Sequence, residues 1–124
     1  MRMKGTIMET IVQAKRVLEI FKEKGISDYI VNFAKHLGLE VHQDEIFNVV
    51  IKKAASPGYE NRPSIILQGH IDMVCVKDHD SNHDFSKDPI ANIIEGEWMH
   101  ADHTTLGADN GMGAAMMLAL LEDE

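Results

Sequence analysis

Apolar residues at Ile11, Ala14, Val17, Leu18 and Phe21 recur at three- and four-residue spacing, which predicts an amphipathic helix from about Met8 to Lys24. Gly25 is a fitting terminator. Ser27 then reads as the N-cap of a second helix with Ile30, Val31, Phe33, Ala34 and Leu37 on one side, closed by Gly38. Leu39 to His42 and Phe47 to Lys52 predict two short strands, joined by a polar turn at Gln43, Asp44 and Glu45. Ser56 to Pro63 is a breaker-rich loop. The run Ser64 to Leu67 is continuously apolar rather than alternating, the pattern of an interior strand covered on both faces. Lys77 to Asp88 is too rich in Asp, His, Ser and Asn to be core. Ile90 to Ile94 and Glu97 to His100 flank Glu95-Gly96 and predict a hairpin carrying the only tryptophan, Trp98. From Gly113 onward the chain is helical and apolar on nearly every side, which predicts burial within a larger body. No internal repeat, linker or low-complexity segment interrupts this order.

Composition narrows the class. The 124 residues suffice for one domain with a modest core. Apolar content of 44% and charged content of 26% are ordinary for a globular protein. A net charge of -8 argues against nonspecific binding to nucleic acid or anionic membrane, which both demand basic surface. The longest apolar stretch, Ala114 to Leu121, falls far short of the roughly 20 residues a membrane span requires. Arg2 and Lys4 precede no apolar segment of a secretory signal. Cys75 is the only cysteine, so no internal disulfide forms and a cytoplasmic location is expected. Its side chain reads as a small, half-buried hydrophobe.

The chemistry concentrates at two places. His70-Ile71-Asp72 ends the apolar run, and the period of a strand projects His70 and Asp72 to the same side. That pair suits a metal-ligating imidazole with a supporting carboxylate at a strand's C-terminal end, where open α/β sheets place their sites. It equally suits a strand-end histidine bonded to its neighbour. Asp109 follows within Leu106-Gly107-Ala108-Asp109-Asn110-Gly111-Met112-Gly113, an acidic turn opening a helix. An anion there can simply cap the helix. The surrounding glycines also let the backbone turn closely and fix a carboxylate in place. Neither G-x-G-x-x-G nor a G-K-[ST] ending is present, so a phosphate cradle is disfavoured. His79-Asp80 and His83-Asp84 read as solvated loop pairs. His36 lies near a helix C-terminus, where a cation suits the dipole. His100 and His103 flank the hairpin end near the Asp109 turn, and Met112, Met116 and Met117 read as core filler.

With these residues laid out, the chain resembles the aminoacyl-histidine dipeptidase (Xaa-His dipeptidase, peptidase D) family of co-catalytic zinc peptidases. The matching blocks are Ile65 to Val74, His83-Asp84-Phe85-Ser86-Lys87-Asp88-Pro89-Ile90, Glu95-Gly96-Glu97-Trp98 and Thr104 to Gly113, with similarity from about Ser27 onward. The resemblance implies an α/β catalytic domain, a mixed sheet flanked by helices, of which residues 1–124 are a single partial domain at the N-terminal end. It implies that His70 ligates one zinc, that Asp109 bridges two, and that Asp72 orients His70 in a catalytic supporting role. It implies a cis peptide at Asp109-Asn110. The implied activity is metal-assisted hydrolysis of Xaa-His dipeptides, in which the cations polarise the carbonyl and acidify water while a carboxylate shuttles the proton.

The departures are as informative. The family's Glu-Glu pair, its remaining ligands and its lid domain have no counterpart in these residues. A loop between the first two helices is missing at Lys22-Glu23-Lys24-Gly25, and His103 stands where the family has glycine. The chain is therefore expected to be inactive alone. A complementing chain or homo-oligomer could complete it, or it could be a non-catalytic remnant acting as a weak metal-binding or interaction module.

Overall fold

The computed structural model describes residues 23–123. In chain order its elements are α1 (Glu23–His36), β1 (Glu40–Gln43), β2 (Val49–Lys52), β3 (Asn92–Glu95), β4 (Trp98–Ala101) and α2 (Ala108–Glu122). All but the last two positions of the helix expected from Met8 to Lys24 lie outside the described residues.

The start of α1 corrects the sequence reading. The helix runs from Glu23 through Gly25, so Gly25 terminates nothing and Ser27 is not an N-cap. A glycine inside a helix costs about 1 kcal/mol against alanine, an amount that tertiary packing overrides. Ser27 is instead fully buried. Its hydroxyl donates to the Phe47 carbonyl at 2.8 Å and accepts from Gln43 Nε2 at 2.6 Å, tying the helix to the loop between β1 and β2. The other end is as expected. Gly38 adopts φ 71°, its N–H donates to Lys35 O, and Leu39 N–H reaches back to Ala34 O, the paired bonds of a Schellman stop.

β1 and β2 pair antiparallel, Glu40 opposite Lys52 and Gln43 opposite Val49. Their turn is organised by Asp44, whose carboxylate accepts from the Asn48 side chain and from the amides of Ile46 and Asn48. The Asn48 side chain leads these contacts in holding the Asp44 pKa below its ordinary value. β3 and β4 form the expected hairpin one residue later than the sequence pattern suggests, with Glu95 opposite Trp98 and Gly96 at φ 62°. Gly96 leads the two-residue turn, where a positive φ matches the strand twist.

The run Ser64 to Leu67 departs furthest from expectation. It joins no ladder among the described residues, and Ile65 and Ile66 are 83% and 92% exposed. A doubly covered strand requires neighbours on both sides, and neither two-stranded sheet supplies one. The α/β class holds, with both named pairings antiparallel.

The core lies between the two helices and β2. Ile30 of α1 meets Ala114 and Leu118 of α2, and Tyr29, Phe33, Val49, Ile51, Ile71 and Leu121 pack around them. Only one side of α2 is covered. Met112 and Met116, expected as core filler, are exposed with Leu120 on the other side, while Met117 is half-buried. No basic residue lies in the last turn of α2. Lys53 supplies the cation from the segment after β2, donating to the carbonyls of Leu120, Leu121 and Asp123.

Ser27→Ala removes one buried hydroxyl, taking the donor from the Phe47 carbonyl and leaving Gln43 Nε2 with Asp28 alone. It should lower the unfolding free energy by about 1–3 kcal/mol in urea titration. Lys24→Ala, which deletes an exposed pair with Asp28, should leave the midpoint in place. Equal midpoints for Ser27→Ala and the parent chain would contradict the tie.

Candidate functional site

No regular element is present between β2 and β3, yet the segment bearing His70 is held firmly. Thr105 N–H donates to Val76 O at 2.8 Å and Asp78 N–H to His103 O at 3.0 Å, around an antiparallel bridge between Lys77 and Thr104. The Thr105 hydroxyl also donates to Val74 O at 2.6 Å. Chain running antiparallel from these bonds brings residues before Val74 beside residues after Thr105. Exposure alternates along the first segment: Ile71 and Met73 are half-buried, while His70, Asp72 and Val74 are exposed. The alternation expected of a strand therefore holds without a ladder, and His70 and Asp72 share the open side.

Gly107 makes the second segment possible. It adopts φ 75°, and a Cβ there would lie 2.8 Å from Met73 Sδ. Both the backbone conformation and the space select glycine. Two residues on, Asp109 and Asn110 are non-helical, joined by the cis peptide expected at this position.

These segments bring together all three site residues expected from the sequence. His70 Nε2 lies 3.1 Å from Asp109 Oδ1. His70 Nδ1 lies 3.1 Å from the Asp72 carbonyl and 3.3 Å from the Asp72 carboxylate. A carbonyl only accepts, so Nδ1 carries a proton. The Asp109 carboxylate also only accepts, so the Nε2 contact is a hydrogen bond in the doubly protonated ring, whereas in the neutral ring Nε2 carries the lone pair. The Asp72 carbonyl is the first cause raising the His70 pKa above its ordinary value, with the Asp109 hydrogen bond and both charges adding to it against partial desolvation. Asp109 is 94% exposed and spends its carboxylate on His70 rather than on the amides of α2. Helix capping is therefore not its role.

The chemistry of this pair suits a zinc-type cation. Such ions take imidazole nitrogen and carboxylate oxygen, and a carbonyl or carboxylate behind the other ring nitrogen fixes the tautomer. The donor number is short, because no group of three His, Cys, Asp or Glu converges among the described residues.

The remaining candidates lie elsewhere. His79 is fully exposed beside Asp80, as expected of a solvated pair. His83 is not solvated: its ring packs edge-on against Phe85 at 4.6 Å, and its Nε2 is buried without a hydrogen-bond partner. The apolar neighbour Phe85 accounts for that correction. His100 pairs with Glu95 and His103 with Asp78, and neither reaches His70 or Asp109. Cys75 is exposed rather than half-buried, because its segment carries no covering strand. Sequence reasoning missed Thr105. Its only signal was a hydroxyl beside the glycine-rich turn, which composition alone does not distinguish from surface threonine.

No protein-family model matches the chain. The chain is 50% identical over 104 residues to the cytosol non-specific dipeptidase of Escherichia coli (strain K12), a match covering 84% of this chain and 21% of that protein. Its structure is similar to the crystal structure of aminoacylhistidine dipeptidase from Vibrio alginolyticus, with a TM-score of 0.86 and 44% identity, covering 93% of this chain and 24% of the other. The likeness to dipeptidases read from the sequence blocks is thus shown over most of the chain. The chain spans between a fifth and a quarter of the length of these relatives.

His103 offers a clean test of the pairing that supports the site. Its Nδ1 donates to Asp78 at 2.7 Å across the Lys77–Thr104 bridge. That bond, then the Asp102 and Asp78 charges, raises its pKa above the ordinary 6.5. A folded-state value above the unfolded one stabilises the fold fully below the unfolded pKa, and the contribution is lost as pH rises through the folded pKa. An NMR titration should place the His103 midpoint above 6.5, and Asp78→Asn should bring it back down. An unmoved midpoint would refute the pairing. His103 also adopts φ 53°, the region that favours glycine. In an Asp78→Asn/Asp102→Asn background, with both ion pairs gone, His103→Gly should therefore raise the melting temperature.

Proposed function

We propose, with the likeness to dipeptidases as premise, that this chain forms the N-terminal part of a dinuclear zinc dipeptidase catalytic domain and carries half of its metal centre. The observation that carries the reading is the 3.1 Å approach of His70 Nε2 to Asp109 Oδ1, with Nδ1 engaged by Asp72. In this reading His70 would hold zinc through Nε2 and Asp109 would hold it through its carboxylate. Asp72 keeps the His70 proton on Nδ1 and so turns the lone pair toward the site. Bound there, zinc supplies Lewis-acid polarisation of the scissile carbonyl and acidified water. This reading assigns the general base to none of the described residues.

Two donors are fewer than the three protein ligands a catalytic zinc uses. The chain is accordingly incompetent alone and acquires the remaining ligands and the base from further polypeptide, in a complementing chain or another copy. The substrate class is dipeptides. The relatives' names include both a non-specific and an aminoacylhistidine dipeptidase, so dipeptide hydrolysis is the firmer part of the proposal and the Xaa-His preference the finer one. A cytosolic location fits the E. coli relative's name. No described helix is long and apolar enough to cross a membrane.

The test mixes the purified chain and zinc with an Xaa-His dipeptide, with and without a polypeptide comprising the rest of the E. coli dipeptidase. Turnover should appear only in the mixture, and His70→Ala or Asp109→Ala should abolish it. Turnover by the chain alone would overturn the incompetence. A mixture that forms a complex yet stays inactive would overturn the enzymatic reading. Failure to retain zinc after dialysis, in the mixture as well, would favour a non-catalytic module.

A further inference from the structure

Three features outside the pair invite a role. The exposed run at Ile65 and Ile66 shows nothing of what would cover it. The unpartnered His83 Nε2 faces an aromatic ring and no ligand-like group. The third feature lies directly beside His70 and Asp109, and it carries an inference.

Asn110 follows Asp109, and Gly69 precedes His70. A Cβ at Gly69 would lie 2.5 Å from Asn110 Nδ2 and 2.7 Å from Met117 Cε. A Cβ at Gly113, one helical turn after Asn110, would lie 2.7 Å from Asn110 Cγ and 2.8 Å from its Nδ2. Real Cβ atoms essentially never approach so closely. The half-buried Asn110 amide thus fills the space that two missing side chains leave, one on each segment of the site. Neither Gly69 nor Gly113 has a positive φ. Space, not backbone conformation, selects glycine at both.

The geometry points to Asn110 as a positioning residue: its side chain, wedged between Gly69 and Gly113, sets the register in which His70, the residue after Gly69, and Asp109, the residue before Asn110, face each other. This deepens the proposed function, since it takes that pair as the metal-binding pair. Thr105 and the close Gly107–Met73 approach fix the two segments a few residues short of the pair, and the backbone beyond them has freedom to slide. Contact between Gly69 and Asn110 removes that freedom next to the donors. A group that orients donors without touching the ion typically changes metal affinity by about 10- to 100-fold when lost.

The experiment uses the isotope-labelled 124-residue chain and three variants. Asn110→Ala empties the wedge, Gly69→Ala drives a methyl into it, and Asn110→Asp preserves its shape. Two readouts are taken: nuclear Overhauser contacts between the His70 ring and the Asp109 β-protons without metal, and zinc affinity by calorimetry. Asn110→Ala and Gly69→Ala should lose the contacts and weaken zinc about 10- to 100-fold, while the methyl signals of Ile30 and Leu118 keep their native shifts. Asn110→Asp should retain the contacts. A merely structural role would lower the melting temperature and leave the His70–Asp109 contacts in place, and that result overturns the inference. Loss of the native Ile30 and Leu118 signals in both Asn110→Ala and Gly69→Ala also overturns it, since a local wedge does not hold up the core. A parent chain that binds no zinc sinks the proposed metal centre and leaves the metal-free contacts to decide the role of Asn110.

Discussion

The Thr105 side chain and amide decide where the segments bearing His70 and Asp109 meet. Between them they engage the carbonyls of Val74 and Val76, and every approach closer to the site descends from that alignment. The arrangement substitutes for a ladder. In a regular sheet the backbone of several neighbouring residues shares the task of fixing register, so no single side chain matters much. Here a bridge at Lys77–Thr104, one threonine and the His103–Asp78 pair carry it. The Gly107–Met73 and Gly69–Asn110 contacts then refine the position toward His70 and Asp109. A site held this way depends on small residues. Gly107 and Gly69 each stand where a methyl group would push one segment off the other, and a methyl at Gly113 would displace the Asn110 side chain between them.

What was legible in the sequence divides along a physical line. Local signals survived: Gly38 ends α1, Asp44 builds its turn, and Gly96 opens the hairpin, because each depends on a few neighbouring residues. The alternation of His70, Ile71 and Asp72 also survived, since the side chains of an extended segment alternate whether or not a ladder forms. Signals that depend on distant partners did not. A serine before an apolar helical face fits an N-cap, but a buried tie to a loop also demands a hydroxyl, and Ser27 serves Phe47 and Gln43 instead. The run at Ser64 to Leu67 states only that it prefers cover. Whether it has cover depends on residues it must find elsewhere.

Asp109 shows the same division within one residue. A carboxylate at the start of a helix matches a cap in every local respect. Only the position of His70, brought in from 39 residues earlier, distinguishes a carboxylate paired with an imidazole from a cap. Asn110 could have been suspected from the same stretch, since glycines at 69 and 113 leave a gap that something must fill. Nothing in their spacing says that the filler stands next to Asp109.

If His70 and Asp109 hold zinc as proposed, the exposed apolar surface and the short donor set bear on one another. Ile65, Ile66 and Leu67 lead directly into His70, and all three are exposed. The side of α2 bearing Met112, Met116 and Leu120 is open as well. Packing against these faces would restrain both segments that carry the donors, the first through the run before His70 and the second through the helix after Asp109. Completion of the metal centre and completion of the fold would then be one event. Each added donor needs a scaffold, and a scaffold seated on these faces would hold the existing donors more rigidly. Binding that occurs only in the completed form stabilises that form by mass action. Zinc and the covering polypeptide would therefore each strengthen the binding of the other, and neither alone would gain the full effect.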